Sequence, residues 1–580
     1  MNDLKQPQTT VVDLLLHYLI DEDVKYIFGI PGGPIMPLYE ALFQCDRIKP
    51  VLSKHEQGAA FMADGYARAT GKLGVCCSTT GPGATNLITG VACAFADSIP
   101  MLVITAQVST AVFGKGAAQE STYYGVDIVS MFKPITKFSA MIHSPEKAGS
   151  IIRSALRAAL SGRQGPAHIN IPADFMKAMV PQVVIPSKNY RVESQQFDRA
   201  AVKRVSQLLI HAKKPIILAG NGVNLSCANN ELLQLAEKLS IPVATSPKGK
   251  GAFPENHILS LGIFGFAGSA LADDYCLSAD NDVLLAVGTS LGELPTANWD
   301  ERLNPSRALI HIDIDPKEIG KNYSISAGII GDAKYNLREL NFQIDRELKL
   351  IEPPVNSNVE AIKLARSKHS QNTDRLKLES TEIPIHPQRL IKEMRDALPA
   401  DAMLFVDIGT CMPWAIHQFT TYQPRTFFVN LGFGSMGHAI SASIGAKLAL
   451  PDRPVFALAG DAAFAMSGFE IHTAVELNLP VVWVIMNNGG HGMINLGERL
   501  QFGGRFCISK FSNRIRAAEM ARSMGADATE ITDPADLGPA LCKAARATKP
   551  TLIEVITDIT AIAPMGRRLQ TLDDMFTTEP

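Results

Sequence analysis

No run of about 18 apolar residues occurs in the 580-residue chain, so no membrane-spanning helix is expected. Charge of one sign is also missing. Lys and Arg number 55 against 57 Asp and Glu, a formal net charge of -2, and this removes the basic excess that draws a chain to nucleic acid or anionic membrane. The opening MNDLKQPQTTVVDLLLHYLI carries acidic residues and no apolar block followed by a small-residue cleavage site, so no secretory signal is expected. The nine cysteines are scattered and form no C-x-x-C. That argues against disulfides and a thiolate zinc site, and for a reducing cytoplasm. What is left is a chemistry of small molecules.

A chain of this length is too long for one core, and roughly three domains are the natural division. Apolar strand-like runs alternate with helical patterns three times over. Residues 1–185 contain KLGVCCSTT, the turn GPG, the helix ATNLITGVACAFA and the strand PMLVITA. Residues 198–345 contain KPIILAGNGV, IPVATS, DVLLAVGTS and RALIHIDIDP, and residues 385–580 contain AMLFVD, TFFVNLG, PVFALAG, PVVWVIMNN and PTLIEVI. Short apolar runs separated by helices predict α/β domains with open parallel sheets covered on both faces. The polar VVIPSKNYRVESQQFD and the charged, partly helical EPPVNSNVEAIKLARSKHSQNTDRLKLESTE read as linkers. No close repeat is visible, although the first and third blocks could share a topology. AGNGVNL superficially suggests a dinucleotide loop, but Leu225 takes the third glycine position, and an ordinary strand-to-helix turn is the better reading.

Two places carry chemistry. Glu56 stands in KHEQGAAFMADGYARATG at the mouth of an apolar helix, with Lys54 and Arg68 its nearest cations in sequence. A carboxylate there is expensive to bury unless it has a partner or a task. In the third block, Asp461 and Asn488 lie 27 positions apart at the predicted carboxyl ends of two parallel strands, the edge where open α/β sheets bind ligands. A carboxylate, an amide oxygen and a loop carbonyl make a partial set of hard ligands, which Mg2+ completes with phosphate oxygens and water. Ala462 and Ala463 are small enough for a diphosphate to approach backbone N–H groups near the helix start. The plain alternative is a strand-end Asp capping a helix beside an unrelated Asn pair.

Taken together, G-D…N-N, HEQGAAFMADGYAR, TTGPGATN, GIPGGPI, GRQGPAHINIP, GFGSMGHAI and NNGGHGM, in that family's order, resemble the thiamine-diphosphate (ThDP) enzymes of the acetolactate synthase group along nearly the whole chain. The resemblance implies three α/β domains, pyrimidine-binding, middle and diphosphate-binding. It implies active sites shared between subunits of a homodimer or homotetramer. It implies a decarboxylating carboligase that joins the acyl unit of a 2-oxo acid, pyruvate first among them, to a carbonyl acceptor; a 2-oxo acid decarboxylase, an acyloin lyase, or acetyl transfer to a bulky ketone such as a keto-sugar is the alternative. Glu56 then matches the glutamate that hydrogen-bonds N1′ of the aminopyrimidine, whose imino nitrogen removes the proton from C2 of the thiazolium. Gln119 matches a glutamine near the thiazolium and donor substrate.

Asp461, Asn488 and the carbonyl of Gly490 match the Mg2+ ligands. Gly409, Thr410, Gly460, Ala462 and Ala463 fall around the diphosphate, and Gly434 and Met436 on the wedge that keeps the coenzyme bent. Pro31, Gly32, Thr80, Asn86 and Met493 complete the coenzyme set. Three positions depart from the biosynthetic pattern: Ala118 replaces an aromatic residue, Gly497 a tryptophan, and Pro34 an alanine. Two large side chains would leave the acceptor pocket, and an acceptor larger than pyruvate is expected, unless Phe113 or Arg499 refills the space. FAD stays open. Arg163 in SGRQGP matches a flavin-contacting arginine, whereas VGTSLGE and TSPKGKGAF depart from the flavin-binding members.

Overall fold

Three parallel sheets of six strands each underlie the three alternating blocks, in a computed structural model that describes residues 7–191, 197–350, 358–370 and 375–566. The first sheet comprises β1 (Tyr26–Gly29), β2 (Lys49–Leu52), β3 (Gly74–Ser78), β4 (Met101–Gln107), β5 (Ser139–Met141) and β6 (Pro166–Pro172). They lie side by side as β2-β1-β3-β4-β6-β5. The middle sheet is built from β7 (Pro215–Ala219), β8 (Val243–Thr245), β9 (Ser260–Ile263), β10 (Val283–Val287), β11 (Ala308–Asp313) and β12 (Ala327–Ile330), in the order β9-β8-β7-β10-β11-β12. The third contains β13 (Met403–Val406), β14 (Phe427–Val429), β15 (Val455–Gly460), β16 (Val481–Asn487), β17 (Asp527–Ile531) and β18 (Thr551–Ile556), ordered β14-β13-β15-β16-β18-β17.

The first and third sheets therefore repeat one topology without repeating a sequence. Strands β3, β4 and β16 at their centres are buried along every residue, which is why they read as unbroken apolar runs. The segment ATNLITGVACAFA forms two helices, Pro82–Asn86 and Ile88–Asp97, rather than one. The strand β17, sequence DATEI, has a mostly exposed, polar edge position and gives no apolar signal. Residues 192–196 of the first linker, and 351–357 and 371–374 of the second, lie outside the described residues; between the last two runs a helix spans Asn358–Ser370.

Helix α1 (Glu56–Thr70) of the first domain packs on α2 (His438–Ala449) of the third. The contact is backbone against backbone. A Cβ on Gly65 would lie 1.9 Å from the Ala442 carbonyl oxygen, and one on Gly445 would lie 1.9 Å from that of Met62. Around this pair, side chains from both domains, such as Phe28, Ala63, Phe405 and Trp483, merge into one core, while the middle domain keeps a core of its own.

A buried ionic chain crosses the same region and reaches all three domains. Asp64 takes Arg68 and the imidazole of His438, the first residue of α2. Arg68 also donates to Asp97 at 2.8 Å, and Lys248 of the middle domain donates to the same carboxylate at 2.7 Å, as does the backbone N–H of Gly432 at 3.0 Å. Burial pushes Asp97 up, but Lys248 and Arg68 outweigh it and hold the group down at about 2. The stability this contributes is fully present above the ordinary value near 3.8 and is lost as pH falls through about 2. Asp97→Asn takes the carboxylate from Lys248 and one of two from the buried Arg68, which keeps Asp64, and is expected to lower unfolding stability by about 3 kcal/mol. It should also flatten the acid limb of the urea midpoint plotted against pH; a midpoint within error of wild type at pH 7 contradicts this.

Candidate active site

Two sets of polar groups gather at the carboxyl ends of adjacent strands, one on the first sheet and one on the third. On the first, Glu56 begins α1 just beyond β2 and is only 8% exposed. Its Oε2 accepts a hydrogen bond from Asn86 Nδ2 at 2.9 Å. Neither cation near it in sequence serves it: Lys54 pairs with Glu476, and Arg68 with Asp64 and Asp97. Glycines open the space beside it. A Cβ on Gly83 would stand 3.2 Å from Glu56 Oε1, and one on Gly32 would stand 2.6 Å from the Thr79 side chain. Thr79 Oγ1 is buried and has no hydrogen-bond partner. Thr80, singled out in the sequence, turns inward instead. Its hydroxyl donates to the Gln119 carbonyl at 2.9 Å and meets Ser121 Oγ at 2.9 Å, so it shapes the Gln119 loop rather than facing the cleft. Pro31, Ala118 and Gln119 are exposed, Pro34 is half-buried, and Gln119 holds φ at 62°.

On the third sheet, β13, β15 and β16 are neighbours, which brings Gly409-Thr410, Gly460-Asp461 and Asn487-Asn488 to one edge. Asp461 Oδ1 accepts the N–H of Ala462 at 2.9 Å, and Oδ2 accepts those of Gly489 and Gly490 at 2.8 and 3.0 Å. Burial nevertheless pushes this carboxyl up to about 6, against the three N–H groups that lower it. Asn488 Oδ1 is buried without a partner, and a Cβ on Gly492 would lie 2.4 Å from its Nδ2. Its neighbour Asn487 points the other way, donating to the Ile515 carbonyl at 2.6 Å and to Glu554; it braces the strand end. Ala462 and Ala463 are buried, and a Cβ on Gly460 would meet nothing.

The loop Gly432–Gly437 brings Met436, half-buried against the shared core, to the same edge. Gly434 and Gly437 take φ of 75° and 85°, the left-handed region where a side chain is strained. One group that sequence reasoning missed pins the loop: Asp407 accepts the N–H groups of Gly437 at 2.9 Å and Ala439 at 2.8 Å. A strand-end Asp facing residues 30 positions away leaves no local pattern. Met493 is half-buried against the third core. A Cβ on Gly497 would come no closer than 4.0 Å to Gln501, so that position is open. Arg499 does not refill it, because its guanidinium donates to the carbonyls of Ile559 and Thr560 at 2.9 Å each.

Among the described residues no three His, Cys, Asp or Glu side chains group to hold a metal. A divalent ion here would rest on Asp461, the orphaned Asn488 Oδ1 and the Gly490 carbonyl, with ligand phosphates supplying the rest, and the residues fit that role. Also among the described residues, no hydrogen bond joins the Glu56 set to the Asp461 set, although both flank the α1–α2 contact.

A separate cavity of about 440 Å³ opens between the three domains, bordered by Arg163, Asn221, Gly222, Lys248 and Gly288. It lies at the switch point of the middle sheet, between β7 and β10. Gly220 and Gly222 serve close approach to Gly288, and the AGNGVNL turn borders the cavity. Arg163 is drawn to Asp315 at 3.2 Å and Glu318 at 2.9 Å.

Three family models match in chain order: the N-terminal TPP binding domain of thiamine pyrophosphate enzymes over residues 9–131, the central domain over 202–340, and the C-terminal TPP binding domain over 407–555. Similar proteins include the probable acetolactate synthase large subunit of Methanococcus aeolicus, 38% identical over 98% of this chain and 96% of that one. The acetolactate synthase large subunit of Parasynechococcus marenigrum is 36% identical over 95% and 88%. The isozyme 3 large subunit of Escherichia coli is 32% identical over 97% and 98%. With one strand-end set on the sheet matched by the N-terminal model and the other on the sheet matched by the C-terminal one, the chain belongs to the thiamine pyrophosphate enzymes, in the company of the acetolactate synthase large subunits.

Proposed function

We propose that this chain is a ThDP- and Mg2+-dependent carboligase of the acetolactate synthase type, divided near 185–198 and 345–385 and working in the cytoplasm. It would transfer the acyl unit of a 2-oxo acid, with loss of CO2, to a carbonyl acceptor. The observation that carries this is the pairing of a buried Glu56 that has an amide neighbour and no cation with a buried Asn488 Oδ1 that has no partner. When bound, the coenzyme supplies a carbon nucleophile that takes up the acyl group and holds its electron pair.

Everything else falls to the protein. Asp461, Asn488 Oδ1 and the Gly490 carbonyl would hold the cation, and the small Ala462 and Ala463 would leave room for the diphosphate beside it. Met436 would press the coenzyme rings together, and Glu56 Oε1, free of the Asn86 bond, would hold the proton shared with the aminopyrimidine. Gln119, carried on the loop fixed by Thr80, would contact the donor substrate. Because one chain leaves its two sets unconnected, a second copy would complete each site. The exposed Tyr123, Phe433, Phe469 and Ile494 lie close in sequence to Gln119, Met436, Asp461 and Asn488 and suit such a homo-oligomer.

The open Gly497 position and the small Ala118 support an acceptor bulkier than pyruvate. FAD fits the inter-domain cavity poorly. Asp97, Glu293, Asp313, Glu318 and Asp332 border it against Arg163 and Lys248, and both cations are already paired with carboxylates. A flavin diphosphate bound there would have to compete with these carboxylates for both cations.

Two outcomes are expected. Incubation with pyruvate, ThDP, Mg2+ and a panel of aldehydes and ketones, followed by mass spectrometry, should give mixed hydroxyketones in excess of acetolactate. In the same assay Glu56→Gln should lose about 10²–10⁴-fold in rate with its thermal midpoint unchanged; an active Glu56→Gln, or acetolactate as the dominant product, contradicts the respective assignment. The purified protein should also show no flavin absorption band in the visible range; a yellow protein overturns the reading of the cavity.

A further inference from the structure

Helix α1 begins with backbone N–H groups that have no partner inside the helix, and its N-cap, His55, satisfies only the N–H of Gln57, through Nδ1 at 3.1 Å. The groups just ahead of Glu56 are met from another domain. Glu470, on the short turn Gly468–Glu470 of the third domain, accepts the N–H of Lys54 at 3.0 Å and that of His55 at 2.9 Å, both on Oε1. Its Oε2 lies 3.1 Å from the Lys54 nitrogen and accepts the Thr473 hydroxyl at 3.0 Å. The carboxylate is 2% exposed. A second observation fixes its place independently. A Cβ on Gly58 would fall 2.1 Å from Glu470 Oε1 and 2.5 Å from its Cδ, so the missing side chain at 58 is the notch in which the carboxylate sits.

We propose that Glu470 is the positioning residue for Glu56: its carboxylate, seated in the Gly58 notch, clamps the backbone at Lys54 and His55 and thereby sets where the Glu56 side chain points. This rests on the assignment of Glu56 as the group that meets the coenzyme's aminopyrimidine. Asn86 orients the side chain and Glu470 orients the backbone. Burial raises the proton affinity of Glu470, and the two N–H donors and Thr473 oppose it. Charge-assisted bonds to N–H groups at a helix start are among the strong ones. Lys54 Nζ, the nearest cation, is committed to Glu476, so the backbone donors are what hold this carboxylate.

The test uses the full chain with Glu470→Ala, Glu470→Gln, Gly58→Ala and Glu56→Gln, and two readouts besides turnover. The first is amide hydrogen exchange across residues 53–58 without coenzyme. The second is solvent-deuterium exchange at C2 of ThDP bound at saturation with Mg2+, set beside the coenzyme's dissociation constant. Glu470→Ala should expose the Lys54 and His55 amides, speeding their exchange by about tenfold or more. It should slow C2 exchange by about 10²-fold, the cost of a displacement near 1 Å, and leave the dissociation constant within about threefold, because the cation ligands are untouched.

Glu470→Gln, whose amide oxygen can still accept both N–H groups, should recover most of each effect. Gly58→Ala should reproduce Glu470→Ala with residue 470 intact, and it keeps the test open if Glu470→Ala does not fold. Glu56→Gln should lose C2 exchange while keeping its amides protected. Wild-type C2 exchange in both Glu470→Ala and Gly58→Ala overturns the proposal, as does a coenzyme affinity that falls in step with C2 exchange. Wild-type C2 exchange in Glu56→Gln instead overturns the reading of Glu56, with the amide protection of residues 54 and 55 still reporting on the clamp.

Discussion

The approach of two helices at Gly65 and Gly445 is the constraint on which the site depends. Helix α1 starts at Glu56, and α2 starts two residues after Met436. Their backbones touch so closely that no side chain fits at either glycine. Two groups proposed for the site, Glu56 and Met436, are thereby fixed by one contact that tolerates almost no displacement, since packed interiors yield little. The ionic chain through Asp64, Arg68 and Asp97 runs alongside and ties the middle domain to the same joint. Met436 is held between two of its attachments, Gly432 on Asp97 and Gly437 on Asp407.

Among the described residues, no hydrogen bond joins the two polar sets of one chain. Glu56 faces Asn86 and the glycines at 32 and 83, whereas Asp461 faces the Gly489-Gly490 turn and Asn488. The proposed site assembled from two copies would take one half from each chain. On this view the fold does not form a cleft and then fill it. It prepares two complementary edges.

Much of this was legible in the sequence, for a physical reason. Asp461 and Asn488 follow long apolar runs that can only be buried parallel strands, so their place at a sheet edge followed from strand length and spacing. Glu56 announced itself as a charge against an apolar helix. The groups that stayed hidden act at a distance. Glu470 lies 415 positions from His55, and Asp407 holds N–H groups 30 and 32 positions on. Each is a lone acid whose distant partners are backbone groups, and backbone groups leave no trace in residue type. Thr79 and Thr80 show the limit at finer grain: the motif marks the pair, but only the local turn decides that Thr80 faces inward and Thr79 towards Gly32. Edge strands such as β17 were invisible because they bury little.

The account stands or falls on whether the Glu56 half and the Asp461 half work across two chains. Co-expression of Glu56→Gln chains with Asp461→Asn chains tests this directly, since a mixed dimer contains one site in which both halves are intact. Each variant alone should be inactive, and random pairing should restore about a quarter of the wild-type activity. A co-purified mixture as inactive as its components would contradict the shared site.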